Sequence, residues 1–453
     1  MNDDDLWRAP ADAVYESLLA RIGESNPQPR LSATRRAVEL LGDPQRAYPV
    51  IHITGTNGKT STSRIIDSIL RAYGLKTGML TSPHLTRFTE RILIDGDPIT
   101  DEALVRNWED IEPYIAMTDA ELEAAGEAPL SFFEALTVLA FACFADAPVD
   151  VVVLEVGMGG EWDSTNVADG QVAVLTPIAL DHVGRLGSTI AEIARTKSGI
   201  IKPAASVVSA TQAPEALAEL QRAAELTESS LAVEGVEFGV SETRVAVGGQ
   251  LISVRGIAGN YTELFLPLYG AHQAENAAVA IAAVETFIGG GAQPLTEALV
   301  EEGLASVTSP GRLHLVGIEP SVLVDAAHNP HGAAALVAGL RSSFDFDEIA
   351  VVVGILSDKD AEGIIRTLGP IATRFVVTAS SSDRAIPAGA LADDIRDWID
   401  GADVVELDSP ADALDDARSW AQDAPKRAVV VTGSITLVGE AMAIAAAGDW
   451  MSA

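Results

Sequence analysis

The sequence has one cysteine, Cys143, so an internal disulfide framework and a cysteine-based metal cluster are both excluded. Cys143 lies in the apolar run 135–145 and reads as a small buried hydrophobe. That run is bounded by Glu134 and Asp146, which leaves it shorter than the ~18 apolar residues a membrane span needs. Lysine is also scarce: six are scattered along the chain at Lys59, Lys76, Lys197, Lys202, Lys359 and Lys426. No polybasic block appears among the arginines, and Lys+Arg 30 against Asp+Glu 65 gives a net charge of −35. Nucleic acid and anionic membrane are therefore not expected as partners. Any anionic ligand must be held by a local site that works against the global field. The opening Met1-Asn-Asp-Asp-Asp5 is acidic where a signal peptide is basic and then apolar, so a cytoplasmic protein is expected.

What is present is enough for a large core. At 453 residues, 48% hydrophobic and 21% charged, the composition is that of a globular protein of two or three domains. Short β-branched runs, turns and amphipathic stretches follow one another, the pattern of βα units and a parallel sheet. Strands are expected at 50–54, 77–81, 150–156 and 171–178, with a helix at 60–73 stopped by Gly74. From about Ala204 to Tyr269 the pieces shorten and alternate between glycines, for example 243–247 and 251–255, and hairpins are expected there. A long Ala-rich helix follows at 270–288, stopped by Gly289-Gly-Gly291. After Thr308-Ser-Pro-Gly311 a second strand series begins at 322–324, 349–353, 374–378 and 428–432, which divides the chain into 1–308 and 309–453.

The sharpest motif is Gly55-Thr56-Asn57-Gly58-Lys59-Thr60-Ser61, between an expected strand and an expected helix. Glycines let backbone N–H groups turn toward a phosphate, the helix N-terminus adds its dipole, and Lys59 reaches the terminal phosphates. The longer phosphate loop has a glycine five residues before Gly58, where this chain has Ile53, so the loop is a shortened form. The strand at 150–154 delivers Glu155 at its carboxyl end, where a magnesium ligand belongs beside such a loop, and the next strand delivers Asp181-His182. A lone histidine is more often structural, but the common sheet edge with Lys59, Glu155 and Ser82 favours a ligand. Ser82-Pro83-His84-Leu85, followed by Arg87 and Arg91, either binds an anionic substrate or surrounds a rigid turn. Asp325-Ala-Ala-His328-Asn329-Pro330 and Arg312 sit in the second part, and suggest catalysis at a domain cleft. Lys197, in Arg195-Thr-Lys-Ser-Gly199, reads from its local chemistry as a solvated helix-end cation.

Taken in order, these segments resemble one family. Ile51-His-Ile-Thr-Gly-Thr-Asn-Gly-Lys-Thr-Ser61, Thr81-Ser-Pro-His-Leu85, Glu90-Arg-Ile92, Ser131-Phe-Phe-Glu134, Glu155-Val-Gly-Met-Gly-Gly160, Asp163-Ser-Thr-Asn166, Asp181-His182, Lys197-Ser-Gly-Ile-Ile-Lys202, His272-Gln273 with Asn276, and Asp325-Ala-Ala-His-Asn-Pro330 follow the pattern of folylpolyglutamate and dihydrofolate synthases. The short phosphate loop is shared with the wider Mur ligase superfamily. The resemblance implies an α/β protein: a P-loop, Mur-ligase-like ATPase domain with a mainly parallel sheet and a small β-rich part, then a C-terminal Rossmann-like α/β domain. It implies an ATP-dependent amide ligase, in which a folate carboxylate takes the γ-phosphoryl group and the amine of L-glutamate attacks the acyl phosphate.

The site residues below are what the resemblance implies. Gly55, Thr56, Asn57, Gly58, Lys59, Thr60 and Ser61 hold the ATP phosphates, with Asn276, Arg312 and Asp325 on the nucleotide. Thr60, Ser82 and Glu155 serve a first Mg²⁺, and His182 joins Glu155 at a second. Lys197 is carbamylated, which turns a cation that would repel those ions into a supporting anion. Lys59, Lys197, His182, His328 and Ser434 form the catalytic group. The folate end falls to Ser82, Pro83, His84, Phe133, Glu134, Trp162, Asp163 and Ser164, together with the segment Arg30-Leu-Ser-Ala-Thr34; the family usually has alanine at Ser164. Dihydropteroate and reduced folates are the implied acceptors, and a monomer is expected. The alternatives are a peptidoglycan-precursor ligase, disfavoured because only 49 residues precede the first strand, and a P-loop switch protein.

Overall fold

The computed structural model describes residues 3–23 and 26–451. It divides into two compact units, one of residues 1–242, 253–264 and 275–307, the other of 243–252, 265–274 and 308–453.

Runs such as Val-Val-Val-Leu are apolar on both sides of the pleat, so they are stable only when covered on both faces, the condition of a parallel sheet. The first unit is built on such a sheet. Its strands are β1 (Val50–Thr54), β2 (Thr77–Leu80), β3 (Ile92–Ile94), β4 (Asp97–Pro98), β5 (Val151–Glu155), β6 (Val172–Leu175), β7 (Ser206–Ser209) and β8 (Ser230–Val233). They lie in the order β4-β3-β2-β5-β1-β6-β7-β8, all in one direction except β3, which runs against both its neighbours. The register sets Ile53 beside Glu155, Thr54 beside Leu175 and Leu80 beside Leu154. Four loops therefore leave the sheet side by side, beginning at Gly55, Thr81, Val156 and Thr176. The helix Phe132–Asp146 contributes Leu136, Val138, Leu139, Phe141 and Phe144 to the core on one side, with Cys143 buried among them.

One expectation is corrected here. The stretch 206–233 is not a set of hairpins but a further βαβ unit, β7, the helix Pro214–Leu226 and β8. Pro214 stands in the first turn of that helix, where its missing N–H costs nothing, and Ala216, Leu220 and Ala224 form its buried stripe. Hairpin texture begins later, with β9 (Gly239–Ala246), β10 (Gly249–Arg255) and β11 (Asn260–Leu266) in one three-stranded sheet. The Ala-rich helix runs Ala271–Gly289, as its composition predicts.

The second unit holds β12 (His314–Ile318), β13 (Ser321–Val324), β14 (Glu348–Val353), β15 (Arg374–Val377), β16 (Val404–Glu406) and β17 (Arg427–Thr432), ordered β12-β13-β17-β14-β15-β16. Only β12 runs against its neighbour. Val324 pairs with Val431 and Val353 with Thr432, so Asp325, Gly354 and Gly433 leave the sheet together. This is the α/β architecture the sequence led us to expect.

Candidate active site

The phosphate loop leaves β1 at Gly55 and turns into the helix Lys59–Ala72 at Gly58, whose φ of 85° suits glycine. A β-carbon at Gly58 would sit 2.6 Å from the Asn276 Oδ1, so the missing side chain is what lets Asn276 lie against the loop. The loop is fastened by Thr56, whose N–H donates to the Pro177 carbonyl at 2.9 Å and whose Oγ1 donates to that of Ala179 at 3.0 Å. Lys59 folds back over the loop, its Nζ donating to the carbonyls of Gly55 and Thr56 at 3.3 Å each. Ser61 is buried in the first turn of the helix.

Glu155 is 1% exposed at the end of β5. Thr60 Oγ1 donates to its carboxylate, 3.0 and 3.1 Å from the two oxygens, and Thr81 Oγ1 donates to Oε2 at 2.5 Å. An all-oxygen set of one carboxylate and two hydroxyls suits a hard cation such as Mg²⁺, which takes few protein ligands and completes its shell with phosphate and water. Among the described residues no group of three or more His, Cys, Asp or Glu side chains could hold a metal ion. Besides Ser82, which the sequence brings to this loop, Thr81 one residue earlier places a hydroxyl on Glu155. The signal was there, since a residue directly after a buried strand still follows its alternation.

Lys197, on the helix Ile190–Ser198, is buried rather than solvated. Its Nζ donates to the Gly55 carbonyl at 2.8 Å, so Lys59 and Lys197 meet on one oxygen of the loop. Burial, then the charge of Lys59, pushes the Lys197 pKa down to about 7, against the opposite pull of Asp181 and Asp163. The local reading of a solvated helix-end cation is therefore corrected. After Lys197 the chain packs closely on Glu161, since a β-carbon on Gly199 would meet the Glu161 Cα at 2.4 Å.

Asp181 and His182 follow β6. Asp181 Oδ1 accepts from the His182 N–H at 2.8 Å, and Oδ2 lies 3.9 Å from His182 Nε2. Ser82 and Pro83, joined by a cis peptide bond, follow β2, with His84 next. The Arg91 Nε–H donates to His84 Nδ1 at 2.8 Å, and Tyr15 meets the His84 ring edge-on at 5.5 Å. Glu134 caps its helix by accepting from the Ser131 N–H at 2.8 Å and is clamped by Arg30 at 3.0 and 3.2 Å. Phe133 is half-buried, its ring where a β-carbon on Gly157 would stand. Trp162 and Met158 both pack on the apolar cluster of Val156, Leu175 and Ile193, while Asp163 is 4% exposed and accepts from the backbone N–H groups of Met158 and Thr165. Ser164 shares a hydrogen bond with Thr137 at 2.8 Å.

Arg312, Asp325, His328 and Ser434 belong to the second unit. Asp325 accepts from the N–H groups of Leu313 and Ala327 at 2.7 and 2.9 Å; burial raises its pKa, while Arg312 and these donors lower it. His328 Nδ1 lies 2.9 Å from the Ala326 carbonyl. Asn329 caps the helix Pro330–Ser343 and Ser434 caps the helix Ile435–Ala447. The Gly433 N–H donates to the Ala327 carbonyl at 3.1 Å, which joins the two loops.

Two family profiles match the chain: the Mur ligase middle domain over residues 53–284 and the Mur ligase glutamate ligase domain over 311–435. The chain is 43% identical over 449 residues to the dihydrofolate synthase/folylpolyglutamate synthase of Mycobacterium tuberculosis, covering 94% of this chain and 92% of that one. Its fold is similar to the M. tuberculosis folylpolyglutamate synthase complexed with ADP, with a TM-score of 0.93 at 42% identity over 97% of this chain and 99% of that one. It is also similar to Escherichia coli FolC in complex with DHPP and ADP, with a TM-score of 0.81 at 31% identity over 93% and 94% of the two chains.

Proposed function

The chain belongs to the Mur ligase family, in its folylpolyglutamate and dihydrofolate synthase branch, and from that premise we propose how its residues carry the reaction. It is an ATP-dependent ligase that adds L-glutamate to folates. The observation that carries the residue assignment is the meeting of Lys59 and Lys197 on the Gly55 carbonyl, with Glu155 tied to the Thr60 hydroxyl at the same loop.

The phosphate loop from Gly55 to Ser61 and Lys59 hold the triphosphate, and Asn276, Arg312 and Asp325 hold the nucleoside part. A folate carboxylate oxygen attacks the γ-phosphorus, the bond to the β-phosphate oxygen breaks, and ADP leaves. The amine of glutamate then attacks the acyl carbon and loses a proton, and phosphate departs with the C–O electron pair. A carboxylate is a poor acyl donor until its oxygen becomes phosphate, so the first step is what makes the second possible. Mg²⁺, when bound, supplies charge neutralisation on the phosphates. Thr60, Ser82, Glu155 and His182 would hold it, and the oxygen-rich surroundings of Glu155 fit that ion.

Lys197 fits carbamylation: a buried amine with its pKa near 7 has a large uncharged fraction, the form that adds CO₂. The folate ring lies by Ser82, Pro83, His84, Phe133, Glu134, Trp162, Asp163 and Ser164. His328 and Ser434 serve the glutamate. Residues 1–308 form the ATP-binding domain and 309–453 the C-terminal ligase domain. Among the described residues no helix is long and apolar enough to cross a membrane. The strongly acidic composition, net charge −35, supports the further reading of a cytoplasmic protein, proposed as a monomer.

Phosphate release from Mg·ATP and L-glutamate tests this reading, with dihydropteroate, tetrahydrofolate or no acceptor at equal salt. Release with both acceptors is expected. Release with tetrahydrofolate alone removes the dihydropteroate activity, and acceptor-independent hydrolysis removes the ligase mechanism.

A further inference from the structure

His52 stands in the middle of β1 between two isoleucines and is wholly buried. Its Nε2 lies 2.9 Å from Thr165 Oγ1, and that oxygen lies 2.5 Å from Asp163 Oδ1. Asp163 also accepts from the N–H groups of Thr165 and Met158, at 3.0 and 2.9 Å. An ionised carboxylate only accepts, so the Thr165 hydroxyl proton goes to Asp163 and a lone pair is left for His52. His52 is then protonated at Nε2. Among the described residues its Nδ1 has no hydrogen-bond partner, and a second proton there would be buried with nothing to receive it. A valine here would bury no such nitrogen, so the imidazole is explained by its contact and not by its packing.

The contact leads to the reaction site. Met158 belongs to the glycine-rich loop that begins directly after Glu155, and Thr54, two residues beyond His52, donates to the Gly159 carbonyl at 2.7 Å. β1 is thus fastened to this loop twice, once directly and once through His52, Thr165 and Asp163. The next residue, Asn166, donates to the carbonyls of Glu161 and Gly199 at 3.0 Å each, which holds the segment after Lys197. Gly170 lets the chain pass close to this strand, since a β-carbon there would meet the His52 β-carbon at 2.9 Å.

We propose that His52 is a positioning residue for the ligation. As a neutral Nε2–H donor it fixes Thr165, and through Asp163 it holds the loop after Glu155 in register with the phosphate loop. This rests on the reading that Glu155, Lys59 and Lys197 serve the phosphoryl transfer.

The test compares His52→Gln, whose amide nitrogen reaches the Nε2 position, with His52→Asn, which reaches only Nδ1, and with His52→Phe. ADP formation with Mg·ATP, L-glutamate and tetrahydrofolate is the readout. His52→Gln should keep kcat within about 3-fold of the parent, while His52→Asn and His52→Phe should lose about 10-fold or more with KM for ATP little changed. Thr165→Val should behave like His52→Phe, and the double variant should be no worse than either single one. Should the variants fail to fold, ¹⁵N NMR of the histidine-labelled parent decides, with the proton of His52 expected on Nε2. A full kcat in His52→Phe, equal damage from Gln and Phe, or a proton on Nδ1 would overturn the proposal. An active Glu155→Gln would instead overturn the underlying site reading, and the tautomer result would still stand.

Discussion

The two parallel sheets hold their polar residues at the strand ends by different means. At the end of the first sheet, the groups directly around the phosphate loop are held by one another or by a loop carbonyl: Glu155 is tied to Thr60 and Thr81, and Lys197 to Gly55. At the end of the second, side chains are held by backbone N–H groups: Asp325 by Leu313 and Ala327, Asn329 by Gly332, and Ser434 by Leu437. A buried ionised group whose neighbours are other side chains has its charge set by them. A capping group acts mainly on the stability of its helix. Substitutions in the first set should therefore change chemistry far more than stability, whereas loss of the caps Asn329 and Ser434 should cost stability whatever else it does.

The largest effect expected is that of Glu155→Gln. The amide oxygen still accepts from a hydroxyl, so the fold should persist, but a neutral ligand binds a divalent cation poorly. Turnover should fall about 100-fold or more with the melting temperature nearly unchanged, as read by ADP formation and calorimetry. Near-parent activity would erase the contrast between the two sheet ends.

Lys197 gives the next largest effect, through pH. The folded amine loses its proton near pH 7 and an ordinary lysine near 10.5, so between these values the unfolded chain binds more protons. Stability should then rise with pH across that window, by up to about 1.4 kcal/mol per pH unit. Below the window the cost of the buried cation is complete and constant. In CO₂-free buffer, urea denaturation at increasing pH should show the rise in the parent and lose it in Lys197→Met. A slope that survives the substitution would belong to another group.

How far the sequence disclosed this depends on the reach of each interaction. β1, β5 and the phosphate loop were legible because apolar continuity, glycines and a lysine lie within one short stretch. The same holds for Glu155, which needs only the end of its own strand. Lys197 was misread from local chemistry, since the carbonyl it meets is on Gly55, far away in the chain, and only the family resemblance drew attention to this residue. The helix Pro214–Leu226 was missed because the glycine-broken texture of 235–259 was extended back over a segment that holds no glycine, and because its own stripe of Ala216, Leu220 and Ala224 is narrow. Thr165 and Asn166 carried no signal of their partners. Their hydrogen bonds reach His52 and Gly199, and pairings of that range become visible only once the strands are in register.

The smallest effects sharpen the comparison from the other side. Asn329 accepts from the Gly332 N–H at 2.8 Å, and Ser434 accepts from the Leu437 N–H at 3.3 Å. Loss of such a cap costs about 1 kcal/mol, so Asn329→Ala and Ser434→Ala should each lower stability by that amount in denaturant melts. If capping is all that Asn329 does, kcat and both KM values of the folded variant stay near the parent's. Ser434 is also assigned to glutamate, and for Ser434→Ala the KM for glutamate should rise several-fold at unchanged KM for ATP. A Ser434→Ala enzyme that is merely less stable would return this residue to the cap alone, and would leave His328 as the remaining glutamate assignment in the second unit.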